Sequence, residues 1–222
     1  MWARHEHPLR FSLAGVQIEV LRADGEIEGL DAAGRRRRRR LDREVAVAEI
    51  RGRTGERVHI EDFAQVFGVY PEAKYERASY ANIARVLWLE SGERAIVELT
   101  RRLVFNALIG NADAHLKNWS VSYPDGRSVM LAPAYDLVAT VPYIGDDRLA
   151  LSLGDTKVFA DIDLDRFTRF ARRADLPDRI VLRTVRETAE RVRDLWPNHE
   201  PARALPDRIR RAIDGHLQRV PL

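Results

Sequence analysis

The chain of 222 residues has no cysteine. That absence excludes disulfides, thiolate metal sites and a cysteine nucleophile, and it fits a reducing cytoplasm. Lysine is nearly absent too: Lys74, Lys117 and Lys157 are the only three. The positive charge is therefore carried by arginine, and the net charge is only +3. No apolar run approaches the ~18 residues of a membrane-spanning helix. The first residues, MWARHEHPLRF, lack the apolar segment of a signal peptide.

What is present is enough for a packed core, with 45% apolar residues in one sizeable domain or two small ones. Residues 1 to 60 read as irregular. RFSLAGVQIEVLRADGEIEGL suggests two short strands around a turn at Ala23-Asp24-Gly25, and a second turn is expected near Thr54-Gly55. Between them Arg35 to Arg40 form an unbroken run of six arginines. Six like charges repel, so a solvated, poorly ordered loop is expected. Contact with nucleic acid is the sharper alternative, weakened by the lack of neighbouring aromatic residues for base stacking.

From Ile60 onward the period becomes helical. Ile60, Phe63, Ala64 and Phe67 share one face and Gly68 ends it. SYANIARVLWLES continues to Gly92. ERAIVELTRRLVFNALIG is the clearest helix, with Ile96, Leu99, Leu103, Ala107 and Leu108 in one stripe and Gly110 suited to cap its C-terminus. Two β-prone runs then flank Pro124-Asp125-Gly126-Arg127, a hairpin signal. Leu149, Leu151 and Leu153 alternate as in a short strand. Residues 161 to 219 read as three amphipathic helices broken near Leu176-Pro177 and Trp196-Pro197.

Polar groups concentrate directly after the clearest helix. Asn111, Asp113, His115, Lys117 and Asn118 fall within eight residues. A hairpin starting after Asn118 and returning to Tyr135-Asp136 would bring Asn118 and Asp136 side by side. An amide oxygen and a carboxylate are hard ligands suited to Mg²⁺, which keeps part of its shell for water and phosphate. Asp-x-x-x-x-Asn, a hairpin and a further Asp is the order of a protein-kinase catalytic site. The bland alternatives are that Asp113 and Asn118 cap loops, that Asp136 caps the next turn, and that His115 is structural. Glu61 and Asp62 read as helix N-terminal charges.

LIGNADAHLKN followed by LAPAYDL resembles the C-terminal kinase domain of the HipA family, bacterial serine/threonine kinases that are toxins of toxin–antitoxin pairs. RFSLAGVQ resembles that family's phosphate-covering loop, and HIEDFAQVFG with KY resembles the segment after its hinge. The resemblance covers residues 11 to 20 and nearly everything from about 57 to 195. It implies an α+β, predominantly helical fold: a kinase-like C-lobe with a small β hairpin at the site, residues 58 to 222, and a reduced N-terminal β segment, residues 1 to 57. It implies Asp113 as catalytic base, and Asn118 and Asp136 as Mg²⁺ ligands with Tyr135 beside them. His115, Leu116 and Lys117 would line the phosphates of ATP. Ser12, Ala14, Gly15, Val16 and Gln17 would belong to the phosphate-covering loop, with Ser12 at the position that the family's kinases can phosphorylate on themselves. It further implies a protein substrate, an antitoxin partner and a cytoplasmic location.

The resemblance breaks at several points. The family's phosphate-binding lysine, expected between the phosphate loop and the hinge, has no lysine to fill it. Glu19 stands where lysine is usual, and Gly52 where an aspartate is. Arginine is not an equivalent point charge. The chain is therefore expected to phosphorylate poorly or not at all by itself, and a catalytically impaired remnant that binds an antitoxin or a DNA complex is the alternative. If the arginine run does contact nucleic acid, affinity should fall about a thousandfold between ~50 and ~200 mM salt, as for six neutralised phosphates. A gel-shift titration checks this, and salt-independent binding rules it out.

Overall fold

The computed structural model describes residues 58–70, 75, 78–144 and 148–222 in full, and 9–13, 16–30 and 36–47 by their backbone. The chain divides into two units, Met1–Glu49 and Ile50–Leu222.

The first unit holds an antiparallel sheet of β1 (Leu9–Leu13), β2 (Val16–Leu30) and β3 (Arg36–Val47), in that order. Two expectations are corrected here. Ala23-Asp24-Gly25 is not a turn but lies inside β2, in register with Arg43, Asp42 and Leu41. The arginine run is not a loop: from Arg36 on it is the first part of β3. The register gives a reason. Arg36 to Arg40 are paired with Leu30 to Glu26 of β2, so the backbone of the run is taken up by the sheet. The expected turn at Thr54-Gly55 lies outside the described residues.

The second unit is predominantly helical, as expected. Its entry is a strand, β4 (His59–Asp62), rather than a helix beginning at Ile60. Ile60 pairs with Ser122, and the helix starts only at Phe63. Asp62 sets that boundary: its carboxylate accepts from the Gln65 amide at 2.9 Å, and the Gln65 side chain accepts from the Asp62 amide at 2.9 Å. This reciprocal cap starts α1 (Phe63–Val66). The hairpin appears where the turn residues put it. β5 (Ser120–Tyr123) pairs with β6 (Met130–Leu131), and β4 joins on the other side of β5. Asp125 holds the turn, accepting from the amides of Arg127 and Ser128 and from the Ser128 hydroxyl.

The frame is α2 (Tyr80–Ile109), broken at Gly92, whose φ of 70° is not helical. Ile96, Leu99, Leu103, Ala107 and Leu108 are all buried. They meet α3 (Leu164–Arg173), α4 (Asp178–Leu195), α6 (Asp207–Arg219) and β7 (Arg148–Leu153) in one core. A short α5 (Glu200–Arg203) precedes α6, and β8 (Thr156–Val158) pairs with β7. Each fully buried Phe, Leu or Ile contributes roughly 1.5–3 kcal/mol. Phe159, Phe167 and Phe170 anchor the far side of that core.

Gly110 ends α2 in the left-handed region, φ 71°. Its amide returns to the Ala107 carbonyl at 3.3 Å and the Asn111 amide to the Asn106 carbonyl at 2.9 Å. A side chain at Gly110 would run into Val141 as well as being strained at this φ. Gly110→Ala is therefore expected to cost about 3 kcal/mol, from the left-handed backbone and the overpacking together. Urea denaturation of the two forms measures it.

Candidate active site

The segment 111–118 leaves the end of α2 as a loop, then makes a single 3-10 turn over Leu116–Asn118 and enters β5. Its course is set by buried polar contacts. Asn111 is almost fully buried. Its side-chain nitrogen donates to the Asn106 side-chain oxygen at 2.8 Å and to the Asp136 carbonyl at 3.3 Å, while its own oxygen accepts the Asp113 amide at 3.0 Å. Ala114 is held from the other side. Its carbonyl accepts from the Tyr80 hydroxyl at 2.9 Å and the Trp119 indole at 3.2 Å. Burial raises the Tyr80 pKa well above its ordinary value, so the phenol stays a donor. Asp113 is thus pinned by its backbone while its side chain remains about half exposed.

The carboxylate of Asp136 and the amide of Asn118 meet. Asn118 Nδ2 donates to Asp136 Oδ2 at 2.6 Å and to the Asp113 carbonyl at 3.1 Å. The expected adjacency of Asn118 and Asp136 is therefore found, with the amide nitrogen of Asn118 rather than its oxygen on the Asp136 carboxylate. Asp136 adopts φ 55°, a left-handed conformation that aspartate tolerates better than most residues. Its carboxylate is directed at Asn118 while its carbonyl goes to Asn111. Beneath them lies Arg102, 7% exposed, donating to Glu98 at 2.8 Å and to the Ala132 carbonyl at 2.7 Å. Burial pulls the Arg102 pKa down, and the ion pair with Glu98 opposes that. A small cavity is lined by Arg102, Asn106, Asn111, Asn118, Tyr135 and Asp136.

The remaining expected residues divide. Tyr135 is partly buried, its hydroxyl donating to the Lys117 carbonyl at 2.8 Å and closely contacting the Ser120 hydroxyl. Burial raises its pKa. Lys117 is exposed. Leu116 is in the core, so any part it plays at a site belongs to its backbone. His115 is 7% exposed with Nε2 3.9 Å from Asp113 Oδ1, too far for a hydrogen bond, and its ring meets Tyr75 edge-on at 5.2 Å. Ser12 is in register with Gln17 and Leu13 with Val16 across β1 and β2, whereas Ala14 and Gly15 lie outside the described residues. Asp62 caps α1, and Glu61 accepts from the Tyr123 hydroxyl at 2.6 Å.

Reading the sequence missed Asn106, Arg102 and Thr140 as supports of the site. Asn106 faces away from solvent within an apolar stripe, a signal that could have marked it. Thr140 had none, because its partners are 28 and 30 residues away: its hydroxyl accepts the Ala112 amide at 2.8 Å and donates to the Gly110 carbonyl at 2.9 Å. Thr140→Val preserves shape but removes both bonds. A loss of about 2 kcal/mol is expected in chemical denaturation, with faster amide exchange at Ala112.

A family model described as the HipA-like C-terminal domain matches residues 30–196. A Sinorhizobium fredii protein named "Putative kinase Y4dM" is 46% identical over 166 residues, which cover 74% of this chain and 41% of that protein. Another from the same organism, named "Putative kinase Y4mE", is 36% identical over 146 residues, 61% of this chain and 34% of that one. The solved complex of the Shewanella oneidensis toxin–antitoxin system HipA, HipB and operator DNA contains a chain of similar fold, with TM-score 0.65 and 22% identity. The likeness covers 89% of this chain and 51% of that one. This chain spans less than half the length of the two Sinorhizobium relatives.

Proposed function

Because the chain belongs to the HipA-like C-terminal domain family, we propose that it carries the catalytic half of a serine/threonine protein kinase, the toxin of a type II toxin–antitoxin pair. The observation that supports this reading most is the convergence of Asp113, Asn118 and Asp136. The Asn118 side chain bridges the other two by 3.1 and 2.6 Å.

In this reading ATP is the phosphoryl donor. The hydroxyl oxygen of a protein serine or threonine forms the new bond to the γ-phosphorus, the bond to the bridging oxygen breaks, and ADP leaves. Asp113 takes the hydroxyl proton. Its half-exposed carboxylate can reach an incoming protein, while its backbone is fixed by Asn111. The donor set fits Mg²⁺: one carboxylate and one amide oxygen are hard ligands, and this ion commonly takes few protein groups and completes its shell with phosphate and water. Asn118 and Asp136 would hold it, and when bound it would neutralise charge on the phosphates. Asn118 also anchors the Asp113 carbonyl, which ties base and metal-binding residues into one unit.

A second reading is a pseudokinase that binds an antitoxin protein or a protein–DNA complex. The lysine distribution favours it. Among the described residues Lys157 is committed to the carbonyls of Tyr75 and Ala150, and Lys117 is exposed. The lost phosphate lysine removes about 3 kcal/mol of transition-state stabilisation, about a hundredfold in rate.

Calorimetry separates the readings. Mg²⁺-dependent ATP binding is expected, weakened about tenfold by Asp136→Ala and unchanged by Asp113→Asn. Transfer of radiolabel from ATP to protein should be slow for the chain alone. A complete absence of Mg²⁺-dependent ATP binding eliminates the kinase reading and leaves the binding module.

A further inference from the structure

Tyr75 touches the residue on which the proposed chemistry turns. Its hydroxyl donates to Asp113 Oδ1 at 2.7 Å. Its ring meets His115 edge-on, with centroids 5.2 Å apart and planes at 74°. Its carbonyl accepts from Lys157 Nζ at 3.1 Å, and the same ammonium donates to the Ala150 carbonyl in β7 at 2.9 Å. Three different parts of one tyrosine are thus engaged, two by the loop after α2 and one by Lys157 of β8.

We propose that Tyr75, clamped to β7 by Lys157, is a positioning residue that fixes the carboxylate of Asp113. The inference rests on the kinase reading for its catalytic meaning, though not for its geometry.

The alternative is that the phenol occupies Asp113 as a plug, in the place of a substrate hydroxyl. The clamp argues against this. A plug has to leave, yet Lys157 holds the Tyr75 backbone carbonyl in place, and swinging the side chain out would break the ring contact to His115 as well as the hydroxyl bond. A carboxylate also has two oxygens, so the phenol can hold one while a substrate hydroxyl uses the other. The hydroxyl is suited to a permanent hold. Partial burial, and then the bond to Asp113 and its charge, raise the Tyr75 pKa to about 12. It remains a protonated donor throughout the physiological range. Lys157 is suited to its part because an ammonium donates strongly to two carbonyls at once. Orienting a base matters because catalysis of this kind is largely positioning.

The test reads the Asp113 side chain directly. Three-bond couplings from Asp113 Cγ to its own backbone nitrogen and carbonyl carbon report χ1 in the labelled full chain. They should show a single rotamer in the wild type and rotamer averaging in both Tyr75→Phe and Lys157→Met. Lys157→Met matters because that residue bonds Tyr75 and Ala150 and not Asp113, so averaging in both variants traces to Tyr75, the partner they share. Thermal melting is measured alongside, and Tyr75→Phe should melt with the wild type. In the transfer assay Tyr75→Phe should lower kcat about tenfold with KM for ATP unchanged, and cause no further loss when added to Asp113→Asn. Unchanged couplings in Tyr75→Phe overturn the proposal, as does a raised kcat, which would establish the plug. If the wild-type chain transfers phosphate measurably and Asp113→Asn does not slow it, the kinase reading falls, while the couplings still decide whether Tyr75 holds Asp113.

Discussion

One carbonyl oxygen carries much of the site. The Gly110 carbonyl, at the end of α2, accepts from the Thr140 amide at 3.0 Å, the Val141 amide at 3.2 Å and the Thr140 hydroxyl at 2.9 Å. A helix leaves its last carbonyls without helical partners. Here that shortage is used to join two segments far apart in the chain. The loop holding Asp113 and Asn118 departs from Gly110, and the stretch holding Tyr135 and Asp136 arrives at Thr140. Both are referred to one fixed point, which limits how far apart Asn118 and Asp136 can lie. Glycine is required because the chain must turn in the left-handed region, and because Val141 and His216 crowd the position.

From that point the order spreads through amides. Asn106, Asn111 and Asn118 form a chain in which each amide satisfies buried backbone or a neighbouring side chain. Amides suit this work because they donate and accept without carrying charge. Asn118 ties the backbone of Asp113 to the carboxylate of Asp136, and the buried Arg102 lines the same cavity as Asn118 and Asp136.

Much of the helical unit was legible because its signals are local. The Ile96, Leu99, Leu103, Ala107 and Leu108 stripe follows from a period of 3.6, and the hairpin from Pro124-Asp125-Gly126. The joining of Asn118 to Asp136 followed from the hairpin alone. The failures were failures of local signals in competition with pairing. Ile60 has helical spacing to Phe63 and Phe67, but its backbone is taken by Ser122 in β5. Ala23-Asp24-Gly25 has turn composition but lies within a strand paired to β3. The run Arg36 to Arg40 has the composition of a solvated loop but is paired in register with Leu30 to Glu26 of β2.

The sequence by itself determined that a long amphipathic helix ends at a glycine, that polar residues crowd the following loop, and that a hairpin returns to an aspartate. These are properties of residues near one another in the chain, where spacing and turn chemistry act directly. Only the tertiary structure decided what surrounds that loop. Thr140 reaches back to Gly110 across 30 residues, Tyr75 reaches Asp113 across 38, and Lys157 reaches Tyr75 across 82. No periodicity encodes such pairs. They exist because core packing brings β7, β8 and the end of α2 together, and a hydrogen bond forms only between groups that packing has already placed within about 3 Å.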